Sequence, residues 1–128
     1  QGVFMTGATT TLTLTASDLA GFYFENGLTS DNWHMVHNGG TATGETDSTA
    51  VVSDVTAVAG EWDILRVEIY TNGTIRWFIN GDLKQTVTNG SSTSVDLAAV
   101  VASTATAATI ASLDVDYMLV KARRDWTR

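Results

Sequence analysis

Five Asn-Gly dipeptides, at positions 26–27, 38–39, 72–73, 80–81 and 89–90, punctuate this chain. Asn and Gly both enter the left-handed region of backbone space at little cost, so the pair favours tight turns that fold one strand back on the last. Between the turns the sequence alternates. Thr10 to Thr15 sets Leu12 and Leu14 among threonines, and Leu19 to Glu25, Trp33 to His37 and Ala50 to Val55 are further strand candidates. The clearest unit runs from Trp62 to Thr88. A strand over 62–70 puts Leu65, Val67 and Ile69 on one face and Ile64, Arg66, Glu68 and Tyr70 on the other. Asn72-Gly73 turns the chain into 74–80, where Ile75, Trp77 and Ile79 alternate with Arg76 and Phe78, and Asn80-Gly81 turns it again into 83–88. This pattern predicts an antiparallel meander of three strands, with opposed Arg and Glu positions placed to pair across it.

The C-terminal third is less plainly patterned. Ser94 to Ile110 has enough Ala for a helix and enough Val for a strand; Thr104, Thr106 and Thr109 tip the reading to extended chain. Leu113, Val115 and Tyr117 alternate with Asp114 and Asp116 before the run turns wholly apolar up to Val120, which predicts a last, partly central strand. Roughly eight to ten strands, no clear helix and no proline make the expected fold an all-β, antiparallel sandwich or jelly roll.

Composition sets the outer bounds. At 128 residues the chain suits a single sandwich domain over 1–128, and 44% hydrophobic against 16% charged residues is the balance of a folded core. A net charge of −7 repels phosphate backbones, so nucleic acid is not an expected partner. Without cysteine there are no disulfides or thiolate metal sites. No apolar run nears the roughly 20 residues of a membrane-spanning helix, and residues 1–5 lack a leader pattern, so no membrane association is expected. The start at Gln1 suggests a processed product or the C-terminal part of a longer chain.

A search for chemistry returns no catalytic set, no metal site and no cofactor. His34 and His37 are three apart, which on a strand sends them to opposite faces, and they are expected at the surface or a loop edge. Glu61 with Asp63, and Asp114 with Asp116, have the two-residue spacing that projects both carboxylates from one strand face. Glycosidases need two facing acids, but such pairs are more simply solvated strand positions. Glu45 and Asp47 with Asp54 lack the spacing of calcium loops. Asn72-Gly-Thr74 and Asn89-Gly-Ser91 match the glycosylation pattern, yet hairpin turns explain both.

Four tryptophans carry most of the interest. Trp77, between Ile75 and Ile79, reads as core. Trp33, beside Asp31, Asn32 and His34, is the candidate for stacking on a ligand such as a sugar, and Trp126 in the basic tail is the candidate for an intersubunit contact. No binding residue is assigned beyond these candidates.

Gly60-Glu-Trp-Asp-Ile-Leu-Arg-Val-Glu-Ile-Tyr-Thr-Asn-Gly-Thr-Ile-Arg-Trp-Phe-Ile-Asn-Gly81, followed by Leu113-Asp-Val-Asp-Tyr-Met-Leu-Val120, resembles the concanavalin A-like lectin/glucanase jelly-roll domains, above all the versions found in bacteriophage structural proteins. The likeness spans Leu19 to Arg124. It departs from the full domains in lacking their additional N-terminal strands, and from the glucanases in lacking their run of alternating acids, which argues against hydrolysis. The resemblance implies a non-catalytic virion protein, a capsid decoration (cement) protein or a fibre module, partnered by copies of itself and by other virion proteins. Carbohydrate binding through a lectin-like site is the alternative, and a jelly-roll glycoside hydrolase a more distant one. Thin surface charge and unpaired strand edges suit a homo-oligomer covered on assembly.

Overall fold

The computed structural model describes residues 5–8, 11–14, 16–24, 31–42, 52–103 and 113–122. The chain divides into two units, Gln1–Asp96 and Leu97–Arg128. All the described regular structure is β and antiparallel, and lies in the first unit: strands β1 Met5–Ala8, β2 Thr11–Leu14, β3 Leu19–Tyr23, β4 Asn32–Asn38, β5 Val52–Thr56, β6 Leu65–Ile69, β7 Ile75–Ile79 and β8 Asp82–Val87. They form a hairpin β1-β2 and two sheets of three strands, β3-β4-β5 and β6-β7-β8. Every pairing joins strands that follow one another in the chain, so each of these sheets is a meander.

The second meander is the one expected from the alternation over 62–88. Ile79 faces Asp82 across a two-residue turn in which Asn80 has φ 54° and Gly81 φ 94°, a backbone open to Asn and Gly and costly for most other residues. At the other turn Gly73 has φ 78°, and its amide donates to the Tyr70 carbonyl at 2.9 Å while Tyr70 donates to Thr74. The first strand is shorter than the alternation suggests. Residues 61–64 stand outside β6, because the Ile64 amide is taken by the Asn80 side chain at 2.9 Å and Asp63 turns to other partners.

Ile75, Trp77 and Ile79 are fully buried, and they anchor the core. Ile75 and Trp77 cluster with Met35 of β4, and Ala20, Phe22, Val67 and Val87 pack around them, so both meanders contribute to one apolar interior. Each Ile contributes about 1.5–3 kcal/mol of burial. The Trp77 indole N–H crosses to the Gly21 carbonyl of β3 at 2.8 Å, giving the most buried aromatic its polar partner. At the opposite margin Lys84 of β8 pairs with Asp54 of β5 at 2.8 Å. The arrangement is sandwich-like.

On the outward face of β6-β7-β8 the charges pair along a strand. Glu68 and Arg76 are opposite in register, but the Glu68 ion pair is with Arg66 on its own strand at 3.0 Å. Arg76 donates instead to the Tyr70 hydroxyl, which donates to Glu68, and the Arg66 guanidinium lies 3.7 Å over the Phe78 ring. Cation–π stacking on a cross-strand neighbour competes with the Arg–Glu pairing that alternation suggests.

Among the described residues beyond 94, namely 95–103 and 113–122, there is no strand where alternation suggested one, while 104–110 lie outside the described residues. Alternation marks a face, but a strand also needs a partner to take its backbone hydrogen bonds. Asn26-Gly27 lies outside the described residues. Asn89-Gly90, with Asn89 at φ 56°, ends β8 without opening another described hairpin.

Candidate functional site

β4 positions most of the side chains that stood out in the sequence. Its alternation places Trp33, Met35 and His37 on the face toward Trp77, and His34 and Val36 on the other. Both histidines are buried, His34 at 0% and His37 at 4% exposure, which corrects the surface or loop-edge reading. β4 is the central strand of its sheet and is covered on both faces, so even polar positions are enclosed. Nδ1 of His37 donates to the Gly90 carbonyl at 3.3 Å, and its ring lies 5.9 Å from Trp77. Burial pushes the His37 pKa below the ordinary value of 6.5, with the Gly90 hydrogen bond opposing that shift. Burial in the core thus favours the neutral ring.

Trp33 is tied down rather than presented. Its ring packs against Phe22 at 6.3 Å and Phe24 at 5.6 Å, and its N–H donates to Asp63 at 2.7 Å. The other carboxylate oxygen of Asp63 accepts from the Asn80 side chain at 2.8 Å. Asp63 therefore joins the tryptophan of β4 to the β7-β8 turn. With both oxygens engaged, it does not form a facing pair with Glu61, which is exposed in the loop before β6. Asp114 and Asp116 are exposed and outside any strand, so their shared-face geometry is also absent. Asp54 is bound to Lys84, whose hydrogen bond lowers the carboxyl pKa. Glu45, Asp47 and Trp126 lie outside the described residues. Among the described residues no cluster of three or more His, Asp or Glu side chains is placed to hold a metal, and no helix is long and apolar enough to cross a membrane.

Trp62 takes the exposed position that the sequence offered to Trp33. It is 66% exposed, next to Asp63, and Ile64 on the other side is 60% exposed. Fixing Asp63 inward leaves its two neighbours pointing outward. The larger apolar surface lies in the second unit, where every large apolar side chain over 113–120 is at least half exposed, from Leu113 at 50% to Leu119 at 68%. Leu97, Val100 and Val101 are also exposed. Isolated exposed apolar side chains are ordinary, but a run from Tyr117 through Val120 exceeds what a monomer usually leaves in water. The signal in the sequence for the second feature is the apolar stretch over 117–120, whose pattern predicts a last, partly central strand.

No family model, curated protein or solved structure matches this chain.

Proposed function

We propose that this protein is a non-catalytic assembly module that works through protein–protein contacts, forms a homo-oligomer, and serves a virus particle as a capsid decoration or fibre component. The observation that carries the reading is the strand-patterned, exposed apolar segment Leu113–Val120. Burying such a segment against a partner removes apolar surface from water at about 25 cal/mol per Å². Trp62 and Ile64 add a second apolar projection, and exposed Trp is a frequent anchor of interfaces. The occupation of Asp63, Asp54 and His37 by internal partners supports a non-catalytic role. Resemblance of 60–81 and 113–120 to phage structural domains supports the virion setting and a concanavalin A-like jelly roll.

The test is the molar mass of the purified chain by light scattering, alone and with the particle or extract it came from. A discrete oligomer whose mass falls to that of one chain in Leu119→Asp, or retention on a large assembly lost in the same variant, supports the proposal. A monodisperse monomer across a hundredfold concentration range that is not retained overturns it. The lectin-like alternative loses its stacking platform, because Trp33 is packed against two phenylalanines and hydrogen-bonded.

A further inference from the structure

The two edges of the β6-β7-β8 sheet differ. β8 pairs with β7 through a bulge: Gln85 faces Trp77 and Leu83 faces Phe78, with Lys84 left over between them and drawn to Asp54 of β5. A bulge and an engaged lysine are devices that keep an edge from accepting another strand. β6 has neither. It pairs with β7 in unbroken register, from Leu65 opposite Ile79 to Ile69 opposite Ile75, and among the described residues no strand lies on its other side. Its inward face is incompletely covered, since Ile69 is 44% exposed while Ile75 beside it is fully buried. Its outward face carries Arg66, which reaches Glu68 with one guanidinium nitrogen and keeps a half-exposed side chain. The strands of the other two sheets contain no Lys or Arg.

Residues 113–117 are patterned to fit that edge. Leu113, Val115 and Tyr117 alternate with Asp114 and Asp116. Residues directly opposite in paired strands share a face, so a strand laid along β6 with its apolar set beside Leu65, Val67 and Ile69 brings an aspartate beside Arg66. Within one copy this segment holds no strand, and its large apolar side chains are at least half exposed. The distribution of charge names the occupant. Eleven of the 14 acidic residues but only three of the 7 basic ones fall in Gln1–Asp96, and the other four basic residues all lie within 121–128, directly after the patterned segment. The basic end of one copy is therefore attracted to the acidic first unit of another, whereas two first units repel.

We propose that residues 113–117 of one copy add as a strand to the edge of β6 in a second copy. The proposal rests on the assembly reading above and gives it a geometry. Each copy donates one strand and receives one, so the contact is heterologous and joins copies head to tail into rings or arrays, not into facing pairs. Asp114 and Asp116 set the register by charge, and Leu113, Val115 and Tyr117 complete the apolar cover that Ile69 lacks.

Sedimentation velocity of the intact chain over a wide concentration range, with circular dichroism as the control for folding, tests this. Arg66→Glu is expected to weaken self-association at least about tenfold, and so is the double variant Asp114→Arg/Asp116→Arg, whose positions are exposed and outside any strand. Mixing the two variants should restore association, because each supplies the charge that the other's remaining surface requires. A synthetic peptide of residues 112–122 should dissociate the parent oligomer, which keeps the test standing if Arg66→Glu misfolds. An oligomer unchanged in both variants and by the peptide overturns the inference while leaving the assembly reading in place, as does a mixture that stays dissociated. A parent chain that remains a monomer at every concentration overturns both.

Discussion

Replacing Trp77 with Phe probes the joint between the two meanders. Trp77 is fully buried, and its indole N–H is donated to Gly21 across the core. Phenylalanine keeps an aromatic ring but leaves the Gly21 carbonyl without that donor, costing about 1–3 kcal/mol for a buried acceptor. The lost pyrrole portion of the indole removes further apolar contact, about 1–2 kcal/mol at about 0.8 kcal/mol per buried CH2 equivalent. Together these predict a loss of about 2–5 kcal/mol, a large share of the 5–15 kcal/mol typical of whole domains. With a urea dependence of about 1–3 kcal/mol per molar, the midpoint should fall by at least about 0.7 M. Urea unfolding followed by far-UV circular dichroism measures it, and Trp62→Phe at a 66% exposed position is the internal control, expected within about 0.5 kcal/mol of the parent. If Trp77→Phe shifts the midpoint no more than Trp62→Phe does, Trp77 does not bridge the meanders and the argument fails.

Asp63→Ala removes the acceptor of both Trp33 and Asn80, so thermal unfolding should show a loss of about 1–3 kcal/mol, whereas Glu61→Ala should be nearly silent. Gly73→Ala should cost more than Gly81→Ala in the same assay: both have positive φ, but only at Gly73 would the new Cβ meet backbone, 2.8 Å from the Ser91 carbonyl. Because the folded pKa of His37 lies below 6.5, the unfolded chain takes up its proton first as pH falls, and stability should decline from about pH 6.5 down to the folded pKa; His37→Gln should flatten that part of the denaturation profile. The Asp54 carboxyl is likewise lowered from 3.8, by Lys84, so its contribution is present above that value and lost as pH falls through the folded pKa; Asp54→Asn should remove this acid-side component, measured in low salt.

The β6-β7-β8 meander was legible from residue order alone, because its determinants are local. Asn80-Gly81 has the backbone freedom its turn requires, and Ile75, Trp77 and Ile79 occur at the period that puts them on one face. The same local logic ran too far at 62–64, where alternation continued but Asn80 and Asp63 capture the chain for side-chain hydrogen bonds. It also treated all five Asn-Gly pairs alike. Among the described residues, 72–73 and 80–81 close hairpins, whereas 89–90 ends β8 with no described strand after it.

By itself the sequence determined an all-β chain, the central meander, Trp77 as core and the absence of a recognisable catalytic motif. These depend on periodicity, turn chemistry and composition, which neighbouring residues carry between them. Tertiary structure decided that Trp33 is packed and Trp62 exposed, and that both histidines and Ser91 are buried. Each of those outcomes is set by residues far away in the chain: Asp63 fixes Trp33 from 30 positions on, and Gly90 fixes His37 from 53. Burial and hydrogen-bond satisfaction are properties of what a side chain meets after folding, and no local pattern encodes the partner.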